Sequence, residues 1–192
     1  MNTIPADVLA KALSEFRNSR DEDIERFLQE KAMLYETRKW CSTYVLVDKK
    51  ALETDKSVKV EGYFTLSNKV LQISDSVSHN KKKKLFNGIK KDDSFMHVIL
   101  IGQLGKYINE NTEEKIYGQV TGREMLDMAF EIIESVKERI VCTCVLLECR
   151  LTDPNDTEKT KLKRENLHKW YMDYGFSVLQ TDDNLVQYFK IV

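Results

Sequence analysis

The chain predicts a mixed α/β fold, a mostly antiparallel sheet flanked by helices with one parallel strand pair inside it. Three observations carry this prediction. A nearly continuous apolar run, Phe95–Leu104, reads as a buried strand. An amphipathic helix follows it, and then a second apolar run, Ile140–Cys149. A buried strand, a helix and another buried strand require a right-handed crossover and hence parallel pairing. At 192 residues the chain has enough length for one domain with a real core, 1–192, with opening helices over 1–40 and a sheet core over 42–192.

Two helices open the chain. Val8–Arg17 carries Leu9, Leu13 and Phe16 on one face. Ser19 and Glu22 then have capping-box spacing before Asp23–Tyr35, whose stripe is Ile24, Phe27, Leu28 and Leu34. Ser42–Asp48 and Val58–Ser67 follow as strands, the second continuing through Val70–Ile73, with Lys49–Lys56 as a hairpin loop. Ser74–Ser94 reads as a charged connection with six lysines between Lys81 and Asp93. Gly102 inside the next strand marks a bulge or a close approach to the backbone.

The stretch Ile116–Val136 is a glycine-containing turn running into a helix with Met125, Ala129, Ile132, Ile133 and Val136 on one face. Unpaired amides and the helix dipole make such a mouth a ready anion site. Thr152–Lys161 reads as a polar loop and Lys163–Tyr174 as a last helix stopped by Gly175. Phe176–Gln180 and Leu185–Ile191 form a closing hairpin around Asp182–Asp183–Asn184.

Composition excludes several classes. The net charge of −1 does not advertise nucleic-acid binding over the whole surface. The N-terminus lacks the charged and apolar regions of a signal peptide, and the apolar runs are too short to span a bilayer, so no membrane partner is expected. Cys41, Cys142, Cys144 and Cys149 show no disulfide framework, which suits the cytoplasm. His79, His97 and His168 do not pair with them at metal-ligand spacing, so no metal site is expected.

Two segments resemble the GNAT family of acyl-CoA-dependent N-acyltransferases, over about Tyr44 to Phe189. The family's pyrophosphate loop has the pattern Q/R-x-x-G-x-G/A, and the chain reads Tyr117-Gly118-Gln119-Val120-Thr121-Gly122 there, followed by Arg123. Gly122 matches, whereas Tyr117 stands for the leading Gln/Arg and Val120 for the middle glycine. Free amides over Val120–Glu124 are expected to cradle a pyrophosphate. The second match is closer: the family's F-Y-x-x-x-G-F is met by Trp170-Tyr171-Met172-Asp173-Tyr174-Gly175-Phe176, with Trp for Phe.

The resemblance implies acetyl-CoA as acyl donor and direct attack by a primary amine of unknown class. It implies that Ile101, Gly102, Gln103 and Leu104 hold the pantetheine arm through main-chain groups, on a strand splayed from its parallel neighbour. Gly102 and Gly105 are where that distortion costs least. It also implies Tyr171 as proton donor to the leaving thiolate, since a phenol of pKa about 10 is protonated at neutral pH. Glu148 and Gln103 are positional candidates for the base. Some members resembling this chain are toxins that acetylate charged tRNA. Lys81–Lys84 with Lys90 and Lys91, and Lys159, Lys161, Lys163 and Arg164, are the basic clusters such an acceptor would need. That reading adds tRNA and a small neutralising protein as partners. A non-catalytic GNAT-like interaction module is the other alternative. The oligomeric state stays open, a homodimer being plausible.

Overall fold

The computed structural model describes residues 4–55, 57–86, 94–137, 139, 142–153 and 157–192. Its elements are α1 (Ala6–Ser14), α2 (Glu22–Arg26), a π-helical turn Phe27–Lys31, α3 (Ala32–Thr37), β1 (Ser42–Val47), a second π-turn Ala51–Asp55, β2 (Val60–Gln72), α4 (His79–Leu85), β3 (Phe95–Lys106), β4 (Ile108–Asn109), β5 (Ile116–Tyr117), α5 (Gly122–Lys137), β6 (Cys144–Arg150), α6 (Glu158–Asp173), β7 (Ser177–Asp182) and β8 (Leu185–Ile191). The hydrogen-bonded strand order is β1-β2-β3-β6-β8-β7, and β4-β5 is a separate ribbon. β1–β2, β6–β8 and β7–β8 pair antiparallel, and β3–β6 is the parallel pair. This is the mixed architecture expected from the sequence.

The chain divides into two compact units. The first comprises 1–67 and 102–131. Its core joins Ala12, Leu13 and Phe16 of α1 to Phe27, Leu28, Val58, Val60 and Tyr63. Tyr63 is fully buried, stacks on Phe27 at 6.0 Å and meets Phe16 edge-on at 5.5 Å. Each such pair contributes about 0.5–1.5 kcal/mol beyond its buried area. The Tyr63 hydroxyl donates to the Ile24 carbonyl at 2.7 Å, so the ring is buried without orphaning its polar end. Gly105 makes room for that ring, since a Cβ there would stand 2.5 Å from both Tyr63 Cε1 and Ile24 Cγ2. Its glycine therefore serves packing.

The second unit comprises 68–101 and 132–192. Leu71, Ile73, Leu85, Val98, Cys144, Leu146, Leu179 and Phe189 are among its core. The parallel ladder pairs Ile99, Leu100 and Ile101 with Val145, Leu146 and Leu147 and ends there, although β3 runs on to Lys106 and β6 to Arg150. At the end of the chain, Asp183 (φ 41°) and Asn184 (φ 66°) supply the two left-handed residues of a tight hairpin. The Asn184 side chain fixes it by accepting from the Thr152 amide at 3.0 Å and donating to the Thr152 carbonyl at 2.6 Å.

Several local expectations are corrected. Ser19 and Glu22 do not form a capping box. Asp21 caps α2 by accepting from the amides of Asp23 and Ile24, while Ser19 Oγ accepts from the Glu110 amide. The 18–20 segment is taken up by long-range bonds of this kind, so the cap falls on Asp21 instead of Ser19, two residues on. Within Ser74–Ser94, His79–Leu85 is helical because Leu85 finds a fully buried site. α6 starts at Glu158, where Thr157 and Thr160 cap each other, so part of the expected loop is helix. β3 is exposed at Phe95 and His97, so its beginning alternates instead of being buried on both faces. Lys90, Lys91, Asp92 and Asp93, and the start of the Ile140–Cys149 run, lie outside the described residues.

Candidate active site

In the first unit the turn between β5 and α5 hangs on one residue of β2. The Tyr107 amide donates to the Glu61 carbonyl at 2.9 Å, and the Tyr107 carbonyl accepts from the Gly118 amide at 2.8 Å. The next amide, Gln119, donates to the Glu61 carboxylate in a very short bond. Gly118 lies so close to this strand that a Cβ would stand 2.4 Å from the Glu61 carbonyl oxygen. Only glycine allows that approach. Val120 then packs inward, and its Cγ1 and the Met125 sulfur fill the space left by Gly62.

The helix mouth differs from the open cradle expected over Val120–Glu124. Thr121 and Glu124 form a capping box: Glu124 Oε2 accepts from the Thr121 amide at 2.7 Å, and Thr121 Oγ1 accepts from the Glu124 amide at 3.2 Å. The Thr121 amide and hydroxyl hold the Glu124 carboxyl below its usual range. Two of the expected amides, those of Thr121 and Glu124, are thus engaged by the helix's own cap, and the amide just before the cradle, that of Gln119, by Glu61. The amides of Val120 and Gly122 donate to no group among the described residues. An anion at this mouth meets those two amides and the dipole of α5.

Tyr117, in the leading position of the loop, is exposed, and its hydroxyl donates to Glu110 Oε1 at 2.8 Å. The same oxygen accepts from Arg20 Nη2 at 2.6 Å, and the Arg20 guanidinium lies 5.6 Å from the Tyr117 ring centroid. The bond from Arg20, then that from Tyr117, holds the Glu110 carboxyl down at about 2. The Glu110 contact raises the Tyr117 phenol. Arg20 reaches this place because Asn18 clamps the preceding segment, donating to the Lys106 carbonyl at 3.0 Å and accepting from the amides of Arg20 and Asp21. Arg20, Glu61 and Glu110 carry no local motif and were invisible in the sequence. On β3, the Gln103 amide donates to Thr65 Oγ1 at 2.9 Å, so it is committed to β2. Gly102 is exposed and Leu104 half-buried beside it.

In the second unit Tyr171 is 6% exposed. Gly175 adopts φ +103°, its amide donates to the Met172 carbonyl at 2.9 Å, and the Phe176 amide donates to the Tyr171 carbonyl at 3.1 Å. This is a Schellman stop, completed by the edge-on contact of Phe176 with the Tyr171 ring at 6.2 Å. Trp170 and Tyr188 flank the same ring at 5.2 and 5.8 Å. Burial, aided by Cys149 and Tyr188, pushes the Tyr171 phenol well above the usual tyrosine range. Tyr188 is bonded through its hydroxyl to His168 Nδ1, and burial lowers the His168 pKa. Among the described residues His168 Nε2 is buried with no partner at close hydrogen-bond geometry, although the Arg150 main chain acts on the ring against the lowering.

Glu148 occupies a different setting from a free base. Its Oε1 accepts from Lys69 Nζ at 2.6 Å and from Gln187 Nε2 at 2.7 Å. Gln187 Oε1 in turn accepts from Gln180 Nε2 at 2.8 Å, and Gln180 reaches the Gln72 carbonyl. The result is a polar seam through the second unit. Ile101 is buried in the parallel ladder. Among the described residues no group of His, Cys, Asp and Glu could hold a metal ion, and no helix is long and apolar enough to cross a membrane.

No protein-family model and no curated protein matches the chain. Solved structures do. A mutant of KacT is similar over 97% of this chain and 91% of its own, at 17% identity and a TM-score of 0.64. AtaT complexed with acetyl-methionyl-tRNAfMet is similar over 93% of this chain and 86% of its own, at 19% identity and a TM-score of 0.63. AtaTR bound with AcCoA gives 93% and 86%, at 18% identity and a TM-score of 0.62. At such identities the likeness establishes the fold, which is the GNAT-like fold implied by the sequence resemblance.

Proposed function

We propose that this protein is an acetyl-CoA-dependent N-acetyltransferase whose acceptor is the α-amine of an aminoacyl-tRNA. The observation that carries the proposal is Tyr171, whose backbone is locked by the Schellman stop and whose phenol is kept protonated by burial. The fold likeness to AtaT complexed with acetyl-methionyl-tRNAfMet and to AtaTR bound with AcCoA supports this donor and this acceptor over an unspecified amine.

The donor's pyrophosphate has the amides of Val120 and Gly122 and the positive end of α5 to meet. Of the main-chain stretch expected to hold its arm, Gly102 and Leu104 are the positions left over, since Ile101 is paired in the ladder and the Gln103 amide is taken by Thr65. The attacking amine must be neutral, and holding it against the thioester supplies much of the rate without a strong base. As the carbon–sulfur bond breaks, Tyr171 donates a hydrogen bond to the departing thiolate. A phenol raised this far is a weak acid, so it hydrogen-bonds the developing charge, while the proton released by the amine nitrogen passes to solvent and the thiolate takes up a proton from solvent to leave as the free thiol. Glu148, clasped by Lys69 and Gln187, is better suited to bracing β6 than to removing the amine's proton.

For tRNA, Lys83 and Lys84 on α4 are exposed, and Phe86 beside them is half-buried. Backbone phosphates need such cations. A small protein partner belongs to the same reading, since an AtaT mutant is known bound to the C-terminus of the antitoxin AtaR.

The test is incubation with acetyl-CoA and a mixed pool of aminoacyl-tRNAs, followed by thiol release and mass analysis of the esterified amino acid. A 42-dalton gain, about the mass of one acetyl group less a proton, is expected on the amino acid, matched by free CoA thiol. If neither product forms, and millimolar acetyl-CoA leaves the melting curve unmoved, the proposal fails.

A further inference from the structure

The donor turn of this chain lacks the middle glycine of the loop pattern, and a buried acid on a neighbouring strand holds it instead. Glu61 is only 6% exposed, a costly place for a carboxylate without compensation. Its main-chain carbonyl binds the Tyr107 amide, whose own carbonyl binds Gly118, and its carboxylate takes the Gln119 amide. The residues that flank the β4–β5 ribbon, Tyr107 before it and Gly118 and Gln119 after it, are thereby tied to one residue. Gly118 is pressed against that residue's carbonyl so tightly that any side chain would force the turn away. The partial compensation is Lys59, whose Nζ lies 3.9 Å from the other carboxylate oxygen.

We infer that Glu61 is a positioning residue for the acyl donor, fixing the Gly118–Gln119 peptides so that the amides of Val120 and Gly122 face the pyrophosphate. The inference rests on the acetyl-CoA reading above. Glu61 touches neither the donor nor the reacting atoms, and acts through Gln119. Two of its properties oppose one another. Its acceptor oxygen orders the turn, whereas its negative charge repels the anion that the turn is to bind. Removing the charge alone should not weaken donor binding, whereas removing the acceptor along with it should, a split that a residue needed only for folding would not give.

The experiment compares Glu61→Ala and Glu61→Gln in steady-state acetyl transfer, with acetyl-CoA as the varied substrate. Alanine removes acceptor and charge together, and with the loss of the acceptor outweighing the relief of repulsion KM for acetyl-CoA is expected to rise about tenfold or more with kcat within about threefold. Glutamine keeps an acceptor for the Gln119 amide and discards the charge, so KM is expected to stay at the wild-type value or fall. A purely structural role would lower the melting temperature and the active fraction, hence kcat, while leaving KM alone. If Glu61→Ala does not fold, Gly118→Ala takes its place, because it displaces the same turn and is expected to raise the same KM. A KM within threefold of wild type in the alanine variant that folds, or a tenfold rise in Glu61→Gln, overturns the inference while the acetyltransferase reading stands. A wild-type protein that neither melts later with acetyl-CoA nor turns it over removes that reading and the inference together.

Discussion

The main-chain carbonyl of Tyr171 accepts the amide of Phe176 at 3.1 Å, so the candidate acid and the residue after the helix stop are parts of one construction. The backbone of Tyr171 is held by the stop, and its ring by Phe176, Trp170 and Tyr188. The phenol is oriented by packing on a rigid element, which is the condition for a proton donor that must meet a leaving group within hydrogen-bond reach.

Tyr171→Phe removes the hydroxyl and keeps the ring contacts. Turnover should fall by about 10²–10⁴-fold, the range of a general acid, with the dissociation constant for acetyl-CoA nearly unchanged. The pH profile gives a second check. The folded phenol titrates above its ordinary value of about 10, and only its protonated form donates, so activity should not decline on the alkaline side through pH 10 on its account. An alkaline limb centred near 10 in the wild type, absent from the phenylalanine variant, contradicts the buried assignment.

Gly175→Ala probes the stop itself. At φ +103° an L side chain is strained, and the expected cost is about 1–2 kcal/mol. That corresponds to a melting temperature lower by roughly 2–8 °C for a chain of this size. Because the strain falls four residues from Tyr171, kcat should drop as well, and more than the lost stability accounts for. An unchanged kcat in a folded variant separates the stop from the chemistry.

How much of this was legible in the sequence depends on range. The stop was readable because Tyr171, Gly175 and Phe176 lie within one turn and the rule linking them is local. The Asp183–Asn184 hairpin and the β3-helix-β6 crossover were readable for the same kind of reason, short spacing or simple periodicity. The support of the donor turn was not. Glu61 reaches Gln119 across 58 residues of chain, and Arg20 reaches Glu110 across 90. Nothing in the local pattern of Val60–Gly62 distinguishes a buried acid from a solvated one. The cradle expected at Val120–Glu124 is narrower than its local signal suggests, because Thr121 and Glu124 have capping-box spacing and the cap takes up two of its amides.

Glu148→Gln separates bracing from base chemistry. The amide keeps an acceptor for Lys69 and Gln187 while losing the charge, so a bracing role predicts kcat within about tenfold of wild type. A general base at this position would lose about 10²–10⁴-fold on the same change. Lys69→Ala should be the more damaging for the fold, because it leaves a half-buried carboxylate without its cation, at a cost of about 1–3 kcal/mol. Urea denaturation of both variants, set beside their turnover, ranks the two roles.

His168 makes stability depend on pH in a defined direction. Burial lowers its folded pKa below the ordinary 6.5, against a smaller opposing effect of the Arg150 main chain and with a small push in the same direction from Arg164. Between the two pKa values the unfolded chain therefore binds more protons than the folded one, so stability rises with pH across that window. The contribution is complete above about 6.5 and is lost as the pH falls toward the folded value. Glu110 and Glu124 are both lowered from the ordinary carboxylate range and so shift in the direction away from this window. Denaturant midpoints taken from pH 7.5 to 5.5 should decline in the wild type and decline less in His168→Gln, whose amide can still reach the Tyr188 hydroxyl but cannot take up a proton. A slope identical in the two proteins would assign the acid sensitivity to other groups and leave His168 as a neutral packing residue beside Tyr188.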